Sequence, residues 1–394
     1  MTGDKIKIPA CLACGSTDVE RFLHLPEVPV FCNVLLPTEE EAVAAPRGDL
    51  DLGICRHCGH VFNVAFDPEL VRYAEGYENS LHHSPRFQSY AEELAAELRG
   101  RHGLTDSHVV EIACGQGDFL KLVCSEPGCT GTGFDPSFRG EDPGDGITVE
   151  PEYFGSRPLG RAVDLICCRH ALEHIDKPVE FMEMVKKAIP AGSRPAVFFE
   201  MPNSLYSLRD GGVWDFIYEH VSYFNGRSLS ACFAGAGYSV RRTWETFAGQ
   251  FLCIEADLEE EGTTAPDLGP VPETAELVGL AAGLGDQMSA LLDKWRDRFA
   301  EIAAEGGRVA VWGVGSKGVT FLNLMGDAGA VGVPVDINPQ KHGLHVPGTG
   351  QRVVAPENLP DLGIRLVLVM NPVYTGEIEG MVRARGIDAE VVGV

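Results

Sequence analysis

The chain has 394 residues, too many for one ordinary core, so it is expected to divide into two or three domains. Hydrophobic residues make up 44% and charged residues 23%, the composition of a globular protein and not of a disordered one. Against 32 Lys and Arg stand 57 Asp and Glu, and the resulting charge of −25, with no basic patch, argues against nucleic acid as a partner.

No apolar run reaches the roughly 18 residues of a spanning helix, which argues against a membrane protein. The opening MTGDKIKIPACLAC has no apolar stretch of the signal-peptide type, so the expectation is a cytoplasmic protein. In a reducing compartment its 12 cysteines are metal ligands, core residues or reactive thiols before they are disulfides.

Residues 1–75 are rich in loops, broken by Pro26, Pro29, Pro37 and Pro46, and offer too few periodic apolar positions for a core of their own. A staple is needed. Cys11-Leu-Ala-Cys14-Gly and Cys55-Arg-His-Cys58-Gly are two CxxC knuckles, each followed by a glycine that permits a tight turn. Four thiolates make a closed tetrahedral zinc site, which is structural because no coordination position stays open. The remaining cysteines lie in apolar contexts and are expected in the core.

Residues 76–260 alternate short apolar runs with helical stretches: VVEIA, GTGFD, DLICC, AVFFE, YSVRRT and FLCIEA read as strands of a largely parallel α/β sheet. Glu111-Ile-Ala113-Cys-Gly115-Gln-Gly117 is a strand, a turn of small residues and a helix start, where a ligand can touch backbone. Asp135 ends the next strand, where a carboxylate can accept both hydroxyls of a ribose.

Residues 257–276 are acidic and proline-containing, without Lys or Arg, and read as a linker. In the segment 261–394, Leu277, Ala281, Leu284, Met288, Leu291, Trp295 and Ile302 mark one apolar face of a long helix. RVAVW, GVPVD and RLVLV then supply strands of a second α/β unit. Its Gly313-Val-Gly315-Ser-Lys317-Gly318, with Asp336 beyond the next strand, reads on its own as a dinucleotide fingerprint and raises an NAD-dependent oxidoreductase as an alternative.

The pattern E-x-G-x-G-x-G, with Ala113 in place of the first glycine, and the later acidic residue resemble class I S-adenosylmethionine methyltransferases. Two further stretches, His170-Ala-Leu-Glu173-His174 after a strand and Glu219-His220-Val-Ser-Tyr223-Phe224, together with the paired knuckles and the aromatic segment around Tyr77, resemble the three-domain sugar C-methyltransferases. Over essentially the whole chain, this resemblance implies a small zinc-binding N-terminal domain, a Rossmann-like methyltransferase domain and a C-terminal Rossmann-like domain that encloses substrate without binding a nicotinamide.

The resemblance places the acid/base histidine at His220, with Glu219 beside it to orient or strengthen the imidazole, and His174 and Tyr77 as further catalytic residues. Glu111, Ala113, Gly115, Gly117, Asp135 and His170 fall at cofactor positions, and Tyr223, Asn79 and His82 at substrate positions. Two departures set the chain apart: Asn79 stands where the family has a tyrosine, and its H-G-G-S segment is matched only by Ala248-Gly249-Gln250-Phe251.

The implied activity is methyl transfer from S-adenosylmethionine to carbon of a nucleotide-linked deoxy-keto sugar, with O- or N-methylation of another small intermediate as the alternative. Lys317 and Arg209 are candidate donors to a diphosphate. His170, Glu173 and His174 also spell H-x-x-E-H, the inverted zincin pattern, which makes a zinc peptidase the alternative from another class. Oligomeric state is not legible in the sequence.

Overall fold

The computed structural model describes residues 8–71, 84–140, 143–144, 146–258, 267–269 and 271–394. Strands and helices follow the hydrophobic patterning. The first part holds β1 (Val19–Pro29), α1 (Glu39–Val43), β2 (Arg47–Cys55) and β3 (Val61–Asn63). The middle holds α2 (Pro85–His102), β4 (His108–Ile112), α3 (Asp118–Val123), β5 (Thr130–Phe134), β6 (Ile147–Glu150), β7 (Leu165–Arg169), α4 (Pro178–Ala188), β8 (Ala196–Pro202), α5 (Ser204–Arg209), β9 (Ser222–Tyr223), α6 (Gly226–Gly235), β10 (Tyr238–Thr246) and β11 (Phe251–Leu258). The last part holds α7 (Thr274–Ala304), β12 (Arg308–Trp312), α8 (Ser316–Met325), β13 (Gly332–Val335), β14 (Ile364–Val369), α9 (Thr375–Ala384) and β15 (Glu390–Gly393).

The central sheet runs β10-β11-β8-β7-β4-β5-β6. From β8 to β6 every pairing is parallel, while β11 pairs antiparallel with both β8 and β10. In register Ile112 lies opposite Phe134 and Cys168, and Cys168 opposite Phe199, so the carboxyl ends of β4, β5, β7 and β8 form one edge. Parallel strands buried on both faces read as near-continuous apolar runs, which is why they were legible. The short β6 and β15 were not.

The first segment is more ordered than its prolines suggest. β1, β2, β3 and β9 form an antiparallel sheet whose last strand comes from the middle of the chain, with Val61 opposite Tyr223. Leu50, Leu52 and Ile54 alternate along β2 and are buried in one core with Leu277, Ala281, Leu284 and Met288 of α7. The segment lacks a core of its own because a distant helix completes it.

α7 buries Leu277, Ala281, Leu284, Met288, Leu292, Trp295, Phe299 and Ile302. The stripe therefore turns through Leu292 and Phe299; Leu291, expected on it, is only partly buried. The C-terminal sheet is all parallel in the order β13-β12-β14-β15, which puts a topological switch point at the carboxyl ends of β12 and β14.

Candidate active site

The turn after β4 needs left-handed backbone at three positions: Ala113 (φ 55°), Gly115 (φ 56°) and Gly117 (φ 80°). Glycine adopts it freely, whereas alanine there carries roughly 1–2 kcal/mol of strain. Asp135 closes the turn from β5: its Oδ2 accepts the Gly115 N–H at 2.8 Å, and its Oδ1 accepts the N–H and hydroxyl of Ser137 at 2.8 and 2.6 Å. Beneath the turn Glu111 is 3% exposed, and its Oε2 is buried without a partner. Burial pushes its carboxyl up to about 8, against the pull of Arg169. These are the residues that can cradle a nucleoside cofactor.

Beside them lies a buried ion pair that sequence reasoning missed. Arg169, at the end of β7, donates through Nε (3.0 Å) and Nη2 (2.8 Å) to Glu200 Oε1 on β8, and Tyr90 of α2 donates its hydroxyl to Glu200 Oε2. Burial alone would raise the Glu200 carboxyl, but Arg169, His170 and Tyr90 bring it down to about 2. The signal was present as an arginine and a glutamate of opposite sign ending two adjacent apolar strands.

Farther along the same edge, side-chain nitrogens of His174 and His220 and a carboxylate oxygen of Glu173 lie within 4.8 Å of one another. The two imidazoles meet edge to face at 4.8 Å between centroids. Burial lowers His174 to about 4, despite its Nδ1 contact at 3.0 Å with the Glu219 carbonyl, and holds His220 well below its usual range. Burial thus favours the neutral form of both rings. Glu173 is buried, which raises it to about 8, and its Oε2 has no partner among the described residues.

Several expected site residues sit elsewhere. The Glu219 carboxylate does not back the His220 ring; its Oε2 accepts the Cys32 N–H at 2.8 Å, tying the 217–223 loop to the N-terminal segment. Burial raises it to about 7, against the amides of Cys32 and Asn33. Tyr223 is buried, and its hydroxyl donates to the Ile217 carbonyl at 2.7 Å and accepts the Ile217 N–H at 3.0 Å, so it braces the 217–223 loop and has no free group for substrate. Arg209 is paired with Asp210 and Glu245 and is not a free diphosphate donor. Tyr77, Asn79 and His82 lie outside the described residues. His170 is absent from the Glu173–His174–His220 group, so the inverted zincin donor set is not assembled.

The four knuckle cysteines do converge. Cys11 Sγ lies 3.7 Å from Cys58 Sγ and Cys14 Sγ 3.7 Å from Cys55 Sγ, with all four sulfurs within 4.8 Å. Tetrahedral zinc with bonds of about 2.3 Å sets its sulfurs close to that spacing. Gly15 (φ 73°) and Gly59 (φ 72°) supply the left-handed turns, and their N–H groups reach back to the Cys11 and Cys55 carbonyls. The donor set could hold zinc.

In the C-terminal unit, a cleft of about 190 Å³ opens between the 313–316 turn and Asn371, with Lys317, Asp336 and Lys341 in its lining. Asp336 is already committed to the N–H groups of Val314 and Asn338 and to Lys341 Nζ at 3.1 Å. Lys317 reaches across to Asp215 at 2.8 Å, and Asn371 and Gln250 exchange two amide hydrogen bonds of 2.8 Å, so this unit is fastened to the central one.

A family model described as a methyltransferase domain matches residues 82–243, and one described as a C-methyltransferase C-terminal domain matches residues 280–386. The chain is a methyltransferase. The central sheet of this methyltransferase has the class I fold, and the glycine turn of its C-terminal unit falls within the C-methyltransferase match, which accounts for the dinucleotide-like motif without an oxidoreductase. No characterised protein matches the methyltransferase in sequence.

Among solved structures it is similar to a magnesium protoporphyrin IX methyltransferase from Synechocystis, at 17% identity over 48% of this chain and 91% of that one, with a TM-score of 0.36. It is also similar to an S-adenosylmethionine-dependent methyltransferase from Mesorhizobium loti (17% identity, 43% of this chain, 99% of that one, TM-score 0.34). A third, from Clostridium acetobutylicum, gives 9% identity over 44% of this chain and 92% of that one, with a TM-score of 0.33.

Proposed function

We propose that the enzyme methylates carbon next to the ketone of a nucleotide-linked deoxy-keto sugar or a closely similar small intermediate. The observation that carries this reading is the C-methyltransferase C-terminal match on the same chain as a methyltransferase domain. S-adenosylmethionine supplies an electrophilic methyl group on sulfur. The chain's task is to hold it and generate a nucleophile. Asp135 and the 113–117 turn are the residues that would hold the nucleoside, with Glu111 toward the methionine end.

His220, kept neutral by burial, removes the proton from carbon, and Tyr77 donates toward the developing enolate oxygen; His174, whose Nδ1–H is held by the Glu219 carbonyl, can donate there only when its ring is protonated on both nitrogens. Glu219 supports His220 through the backbone, by fixing the loop that carries it to Cys32. The C-terminal cleft receives the nucleotide portion; Lys317 and Lys341 line it but are paired with Asp215 and Asp336, so either would have to leave its carboxylate to meet a diphosphate. Zinc at Cys11, Cys14, Cys55 and Cys58 is structural, and the enzyme acts in the cytoplasm.

The test incubates enzyme, S-adenosylhomocysteine and a nucleotide-linked 4-keto-6-deoxy sugar in deuterated water. Exchange of the hydrogen beside the ketone, slowed by His220→Ala, is expected. A methylated product bearing an ether methyl after turnover with S-adenosylmethionine would instead establish O-methylation.

A further inference from the structure

His170 follows β7 in a left-handed conformation, φ 51°, which a histidine adopts only when its surroundings impose it. They do so on two sides. Its N–H donates to the Glu200 carbonyl at 2.8 Å, and its ring stands edge-on to Phe251 at 4.6 Å. Nε2 lies 2.9 Å from Glu200 Oε1, with the N–H axis turned off the oxygen, and it is buried with no other partner among the described residues. A small rotation of the ring completes that bond. Glu200 cannot move away, because Arg169 and Tyr90 hold both of its oxygens, and Tyr90 is held in turn by Thr246.

The side chain of His170 is 22% exposed, whereas polar atoms of His174 and His220 are buried and both rings feel its charge. The charged and titratable groups around it are Arg169 on β7, Glu200 on β8, Tyr90 on α2, and His174 and His220 on the two loops. A carboxylate fixed behind one ring nitrogen is the arrangement that sets a histidine's tautomer and supports its charged form.

We propose that His170 is a proton-transfer residue of the acceptor site: Glu200 holds Nε2–H, and Nδ1 exchanges a proton with the oxygen of the bound acceptor. The inference rests on the carbon-methylation reading and adds a residue to it. The proton leaving carbon goes to His220, while the proton on His170 Nδ1 moves to the carbonyl oxygen as the enolate forms. It returns to Nδ1 when the carbonyl re-forms beside the methylated carbon, so His170 is unchanged over the cycle. Glu200 is the positioning residue.

The test uses His170→Asn, because asparagine tolerates left-handed backbone and keeps the fold. With the nucleotide-linked 4-keto-6-deoxy sugar as probe, hydrogen exchange and turnover are expected to fall about 100-fold, while S-adenosylhomocysteine affinity stays within about twofold of wild type. A parallel loss of affinity with exchange unchanged would overturn the proposal and leave His170 a cofactor contact. Long-range proton–nitrogen spectra of histidine-labelled wild type, assigned by loss of signal in His170→Asn, read the dyad without any acceptor. The neutral ring is expected to carry its proton on Nε2, with Nδ1 bare; the opposite tautomer overturns the inference even if the probe sugar proves not to be the substrate.

Discussion

Ala113 shows how one residue can report a site. Where the family pattern has glycine, the alanine occupies the same left-handed position, so the substitution preserves the turn at the expense of strain. Ala113→Gly is expected to be neutral or stabilising by up to ~1 kcal/mol in urea unfolding, since relief of strain offsets the greater freedom of the unfolded glycine. Ala113→Val should destabilise the turn and weaken S-adenosylhomocysteine binding in calorimetry; retention of both would remove the turn from the cofactor site.

Glu111 makes a second residue-scale prediction. Its folded carboxyl titrates near 8, above the unfolded value, so the group's contribution is fully present below the unfolded value and is lost as pH rises through 8. Glu111→Gln should therefore raise the melting temperature of the unliganded enzyme at pH 7 by about 2–6 °C and leave it unchanged at pH 4. His174 and His220 act in the opposite direction: their depressed folded values cost stability as pH falls below about 6.5. Equal gains for Glu111→Gln at both pH values would show that burial of this carboxyl is not the cause.

The motifs made Glu111, Asp135, His174 and His220 legible, because their spacing fixes the backbone they need. What Glu219 and Tyr223 touch was not legible. Their partners, Cys32 and the Ile217 backbone, depend on how the 217–223 loop crosses from one sheet to another.

At the scale of elements, strands buried on both faces and the long α7 stripe could be read from apolar runs and periodicity, since one contiguous segment carries each signal. The N-terminal sheet could not, because its fourth strand is β9 and its inner face packs on α7. The same dependence on distant partners governs the join between the central and C-terminal units. Gln250 and Asn371 satisfy each other's amides across that join. Asn371→Ala leaves the buried Gln250 without its Nε2 acceptor and with Oε1 only on Lys317, and should cost about 1–3 kcal/mol of stability. If unfolding is unchanged, the join is held by the Lys317–Asp215 pair and apolar packing instead.

For the whole molecule, the four-cysteine cluster and the 217–223 loop belong to one connected structure. The knuckles anchor β2 and β3, β3 pairs with β9 beside His220, and Cys32 holds Glu219. Cys55→Ser should therefore lose the metal, as measured by metal analysis, and lower turnover more than S-adenosylhomocysteine affinity. Metal-free wild type with full activity would uncouple the knuckles from the site.

The most direct measurement is carbon-13 NMR of the product formed from S-adenosylmethionine labelled in its methyl group and the nucleotide-linked deoxy-keto sugar. The label is expected as a methyl resonance coupled to a ring carbon beside the ketone, and to be absent with His220→Ala. A label appearing as an ether methyl, or undiminished in that variant, would contradict carbon methylation with His220 as the base.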